Sequence, residues 1–185
     1  MRDPIQRTYS NYLHALKKGG SEKRTFEQAI EEELNSKTTD RFKCYAERSL
    51  YVEQIRRYLM HFNFEQMHFT VFEKFVDNPQ EEINKVVDFL GVKRFERFNL
   101  PHSNKTKLPK QPRILRITLR LIPSEKGRKF VRYHLWPHTT SKPEMSYKTR
   151  EKLVEYFNPY NRELETLINL PVTTLWQGAD SFSFR

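Results

Sequence analysis

The chain has 185 residues, of which 37% are hydrophobic and 14% aromatic, enough to fill the core of one compact domain and too apolar for a disordered segment. Its net charge of +10 lies almost wholly between His102 and Leu135, where Lys105, Lys107, Lys110, Arg113, Arg116, Arg120, Lys126, Arg128, Lys129 and Arg132 face one acid, Glu125. Apolar runs at 69–72 and 86–92 are far shorter than the ~20 residues that cross a bilayer, Met1-Arg2-Asp3-Pro4 is no secretory leader, and the single Cys44 excludes an intrachain disulfide and suits a cytoplasmic location.

Asp3-Pro4 predicts a helix start, an Asx cap followed by proline at the first helical position, where its missing N–H costs nothing. Ile5, Tyr9, Tyr12, Leu13 and Leu16 come next at helical spacing, and Gly19-Gly20 ends the run. Thr25 and Gln28 form a capping-box pattern for a second helix through Leu34. A longer amphipathic helix is expected from Cys44 to Phe62, with Tyr51, Ile55, Tyr58, Leu59 and Phe62 on one side.

Met67 to Phe72, rich in β-branched and aromatic residues, reads as a buried strand. Asn78-Pro79 then opens a helix with an apolar stripe of Ile83, Val86, Val87 and Leu90 and a stop at Gly91. Beyond Val92 the chain is loop-like and basic as far as Pro112, and a short basic helix spans Arg113 to Ile122. Ser146 caps a helix through Phe157, Asn158-Pro159 caps another through Leu170, and Trp176 docks the tail on the core. One strand among helices points to an α/β layer architecture, mostly helical, with one or two core strands.

Arg2-Asp3-Pro4-Ile5-Gln6-Arg7-Thr8-Tyr9-Ser10 resembles the 3′-phosphate motif of sulfotransferases that use 3′-phosphoadenosine 5′-phosphosulfate (PAPS), an Arg-x-Pro turn leading into a helix that carries a serine. The resemblance implies that Arg2 and Ser10 bind the 3′-phosphate. The chemistry agrees, since a guanidinium fork, a hydroxyl and a helix N-terminus are all anion donors. The chain from Tyr51 to Val92 is similar to the same family in the same order. Tyr51 to Leu59 looks like the helix before its next core strand; Phe69 to Phe75, Asn78-Pro79 and Phe89-Leu90-Gly91-Val92 resemble its strand, acidic turn, helix start and helix end. His102 to Lys107 and Pro112-Arg113 are similar to its basic loop that closes over the nucleotide, which implies phosphate contact by Lys105, Lys107, Lys110 or Arg113.

The implied fold is a partial P-loop-like sulfotransferase fold, with 1–185 a single domain incomplete at its N-terminus. The implied reaction is transfer of a sulfuryl group from PAPS to a hydroxyl or amine, without a metal, and the expected acceptor is a carbohydrate. The family's loop for the 5′-phosphosulfate, with its lysine, has no counterpart: Gly19 to Thr25 comes after a helix rather than a strand and reads as a turn. His14, His61, His68, His102, His134 and His138 show no catalytic or metal-ligand spacing. A fragment is therefore expected, completed by an upstream segment. Two other readings stay open: a degenerate protein that binds a partner without chemistry, and a basic nucleic-acid-binding module suggested by the charge and the abundant Tyr and Phe.

Overall fold

The chain's structure is a computed structural model that describes residues 1–17, 22–35, 44–94, 96, 108–110, 112–139 and 141–177, with the backbone alone for Pro112, Arg113, Arg116 and Gln177. The helices are α1 (Pro4–Lys17), α2 (Phe26–Asn35), α3 (Tyr51–Leu59), α4 (Phe72–Asp77), α5 (Pro79–Phe89), α6 (Pro112–Arg120), α7 (Glu125–Phe130), α8 (Tyr147–Ile168) and α9 (Val172–Gln177). Two short strands, β1 (Leu108–Pro109) and β2 (His138–Thr139), pair antiparallel with Leu108 opposite Thr139 and Pro109 opposite His138. The architecture is the expected mostly helical α/β one. It comprises two compact units, residues 1–7, 47–102 and 151–185, and residues 8–46 and 103–150.

The first unit is built on an apolar cluster of Val52 and Ile55 from α3, Val71, Leu164 and Ile168 from α8, and Val172 and Trp176 from α9. Trp176 docks as the sequence predicts. The α8 helix departs from expectation by running unbroken through Pro159. Leu153, Phe157, Leu164 and Ile168 are all buried at spacings of four and seven, so one apolar stripe continues across the proline. That burial offsets the ~3 kcal/mol an interior proline costs.

The helix expected from Cys44 to Phe62 is shorter. Tyr45 and Ala46 give their N–H groups to the Glu33 carboxylate, at 2.7 and 2.9 Å, and a single 3₁₀ turn at Glu47–Ser49 precedes α3. Val52 and Ile55 face inward, whereas Tyr58 and Phe62 are 61% and 49% exposed. The strand expected at Met67 to Phe72 is also corrected. The backbone is extended at Met67 and Val71, but Phe72 already begins α4 and only Val71 is buried. Among the described residues Met1 alone pairs with this segment: its nitrogen donates to the Thr70 carbonyl and its carbonyl accepts from the Phe72 N–H at 2.5 Å. Those two bonds bracket Val71 in the pattern of a parallel pair, and one pair makes no ladder. The strand β1 lies instead in the stretch that reads as loop, and β2 in residues for which no element is predicted.

Other signals behave as predicted. Thr25 and Gln28 exchange the two bonds of a capping box, at 3.2 and 3.0 Å. Asn78 accepts from the Glu81 N–H at 3.3 Å, and Gly91 takes the left-handed φ of 66° that ends α5. The stripe on α5 is narrower than expected, with Val87 buried and Leu90 63% exposed.

In the second unit, Tyr9 and Tyr12 from α1 pack on Phe26 of α2 with ring centroids 5.0 and 5.2 Å apart, and Tyr12 meets Tyr45 edge-on. Beside these rings Glu22 is buried and accepts from the Lys23 and Arg24 N–H groups, the Arg24 guanidinium and the Tyr45 hydroxyl. Burial alone would raise its pKa, but those bonds outweigh it and hold the carboxyl down at about 2.

Candidate functional site

The residues ahead of α1 are fixed from both sides. The Arg2 N–H donates to the Tyr51 hydroxyl at 3.1 Å, and the Asp3 N–H donates to Glu73 Oε1 at 3.0 Å. The Phe72 N–H donates to the Met1 carbonyl. The Arg2 guanidinium lies over the Phe72 ring, 5.2 Å from its centroid. Arg2 is half-buried. Desolvation pulls its pKa below the ordinary arginine value, with the Glu73 and Asp3 carboxylates opposing that pull.

Asp3 changes how the helix end can act. Its Oδ1 accepts from the Ile5 N–H at 2.7 Å and from the Gln6 N–H at 3.5 Å. The helix thus caps itself with its own carboxylate, and the N–H groups that the sequence offers to an anion are already engaged. A phosphate at this helix end would have to be met by side chains. Ser10 is exposed in the second turn of α1, six residues or ~9 Å along the axis from Pro4. A guanidinium fork and a hydroxyl suit a phosphate dianion.

Arg7, one turn into α1, is committed elsewhere. It donates to the Arg48 carbonyl and, at 3.1 Å, to Ser49 Oγ, with its guanidinium 5.6 Å from the centre of the Tyr51 ring. Sequence reasoning singled out Arg2 and Ser10 but missed Tyr51, Phe72 and Glu73 as supports of the Arg2 turn. Spacing carries no such signal, because these residues lie 49 to 71 positions away in the chain.

Of the basic candidates, Lys105 and Lys107 lie outside the described residues. Lys110 is exposed at the end of β1; its N–H donates to the Pro137 carbonyl at 2.9 Å and its carbonyl accepts from Trp136 Nε1 at 2.6 Å. Arg113 stands in the first turn of α6. Lys110 also lines a cavity of about 630 Å³ with Leu108, Pro109, Thr139 and Lys142. Among the described residues no group of three or more His, Cys, Asp or Glu side chains could hold a metal ion, and no helix is long and apolar enough to cross a membrane.

Residues 1–166 match the family model described as a sulfotransferase domain. Over 107 residues, 58% of this chain, the sequence is 31% identical to the human proteins named heparan sulfate glucosamine 3-O-sulfotransferase 3B1 and 3A1, covering 27% and 26% of their lengths. A solved sulfotransferase from Alicyclobacillus acidocaldarius superposes with a TM-score of 0.63 at 22% identity, over 95% of this chain and 55% of that one, and so shares the fold. The chain spans about a quarter of the length of these curated relatives. Since the family model takes in the Arg2–Ser10 segment and all of α1 to α7, the chain belongs to the sulfotransferase domain family.

Proposed function

We propose that this chain carries the 3′-phosphate side of a PAPS site and serves sulfuryl transfer to a hydroxyl or amine acceptor. The observation that carries the reading is the half-buried Arg2, held on the Phe72 ring directly before α1, with Ser10 exposed on the second turn. Arg2 would take two phosphate oxygens through its fork and Ser10 would donate one further hydrogen bond. The 3′-phosphate distinguishes PAPS from ordinary adenine nucleotides, so these two residues would set which nucleotide is held. Lys105, Lys107, Lys110 and Arg113 would neutralise the remaining charge as a basic loop over the nucleotide.

When bound, PAPS supplies the sulfuryl group, which passes to the acceptor oxygen or nitrogen and leaves adenosine 3′,5′-bisphosphate. Arg2 and Ser10 would act on nucleotide binding, remote from the sulfur. The 5′-phosphosulfate loop would come from a complementing segment, so the 185 residues alone would hold nucleotide better than they transfer sulfate. A carbohydrate acceptor is supported by the names of the human relatives, heparan sulfate glucosamine sulfotransferases.

Calorimetric titration with adenosine 3′,5′-bisphosphate and with 5′-AMP tests the reading. Tighter binding of the bisphosphate, lost in Arg2→Ala, is the expected result. Equal affinity for the two nucleotides, or a preference that survives Arg2→Ala, overturns it.

A further inference from the structure

We infer that Phe72 and Glu73, at the start of α4, are positioning residues that set the selectivity of the Arg2 site for a ribose 3′-phosphate. The inference rests on the proposed role of Arg2 and adds what makes that arginine selective. A flexible arginine finds any nearby phosphate; one held in a fixed pose recognises a phosphate at one place. The pose here has a definite origin. The Phe72 ring lies under the guanidinium, and the Phe72 N–H fixes the Met1 carbonyl one residue before it. Glu73 Oε1 fixes the Asp3 N–H one residue after it, at 3.0 Å. Two consecutive residues of α4 thereby grip the backbone on either side of Arg2 and the face of its side chain.

Glu73 contributes a second property. Its Oε2 is buried without a hydrogen-bond partner among the described residues, and its carboxylate acts on the nearby Arg2 guanidinium as a negative charge. An incoming phosphate must tolerate that charge. A phosphate seated squarely on the arginine fork gains more than it loses, while one displaced toward α4 meets repulsion. Positioning and repulsion act together on the same choice.

Four proteins separate these effects: wild type, Phe72→Leu, Glu73→Ala and Glu73→Gln, each titrated with adenosine 3′,5′-bisphosphate and with 5′-AMP. Phe72 is 38% exposed, so its leucine variant retains the fold. The readout is the ratio of the two affinities, which a general loss of structure would not shift selectively. Phe72→Leu is expected to lower the ratio roughly three-fold by removing the ring face. Glu73→Ala, which loses the bond to Asp3, is expected to lower it roughly ten-fold. Glu73→Gln keeps an acceptor for the Asp3 N–H and is expected to restore most of the ratio. It should also bind inorganic phosphate more tightly than wild type does, because the repelling charge is gone.

If wild type prefers the bisphosphate while all three variants keep the full ratio, the inference fails and the role of Arg2 stands. If wild type shows no preference, the role of Arg2 fails first. A Glu73→Gln protein as poor as Glu73→Ala overturns the hydrogen-bond account of positioning.

Discussion

The two units are stabilised internally by different physics. The first rests on an apolar cluster around Leu164 and Trp176, whose buried members carry no carboxylate. The second rests on aromatic rings arranged beside Glu22, a buried carboxylate that accepts hydrogen bonds from Arg24, Tyr45 and two backbone N–H groups. Packing of the first kind is indifferent to pH; the second depends on one proton staying away. Arg2, whose pose carries the proposed reading, belongs to the first unit.

The largest effect that would break this contrast comes from the apolar side. Leu164 is 1% exposed in the cluster. Leu164→Ala is expected to cost about 4 kcal/mol in denaturant unfolding, from lost burial and the cavity left behind, with the same loss at pH 7 and pH 4. A cost that changed with pH would contradict the assignment of the Leu164 cluster to apolar packing alone.

Acid is the matching probe of the second unit. The Glu22 carboxyl is held at about 2 against an ordinary value of 4.5. A lowered folded-state pKa gives stability that is fully present above the unfolded value and lost as pH falls from about 5 toward 2. The loss is expected to reach about 3 kcal/mol, and Glu22→Gln should flatten this part of the curve. Denaturation midpoints measured from pH 7 to pH 2 check it. A Glu22→Gln profile parallel to wild type would place the acid sensitivity elsewhere.

Within the site, Arg2→Ala is expected to weaken adenosine 3′,5′-bisphosphate binding on the order of 100-fold while leaving 5′-AMP nearly unchanged. Titration of both nucleotides reads this directly. A uniform loss for both would make Arg2 a structural residue of the first unit rather than a reader of the 3′-phosphate.

Distance along the chain decides how much of the fold and the site is legible in the sequence. Local chemistry is legible: Pro4 after Asp3, the Thr25–Gln28 box and Asn78-Pro79 each close a bond within three residues. The Arg2-Asp3-Pro4 turn itself is local in the same way, since Asp3 caps the helix it precedes. Three of the misreadings involve remote partners. Asn158-Pro159 has the form of a helix start, yet the buried stripe from Leu153 to Ile168 overrides it. Cys44 to Leu50 has a helical pattern, yet the Glu33 carboxylate captures two of its N–H groups. Met67 to Val71 has strand composition, but among the described residues it pairs with Met1 alone. The supports of Arg2 escape for this reason too, since nothing in their local sequence marks Tyr51, Phe72 or Glu73 as neighbours of residue 2.

The smallest predicted effects separate the helix-borne hydroxyl from the basic stretch. Ser10 can contribute one neutral hydrogen bond to a phosphate, so Ser10→Ala is expected to weaken bisphosphate binding by about ten-fold or less. The loss should hold at raised salt, because a short-range bond is little screened. Lys110 is exposed, so its attraction to a phosphate acts through water and ions. Lys110→Ala is expected to cost about three-fold at low salt and almost nothing at about 0.5 M, the behaviour of an exposed charge. Titrations at both ionic strengths therefore distinguish the two residues by slope as well as by size. A Lys110 effect that persisted in salt would mean that the basic stretch contacts the nucleotide directly, and the charge excess between His102 and Leu135 would then belong to the site as fully as Arg2 does.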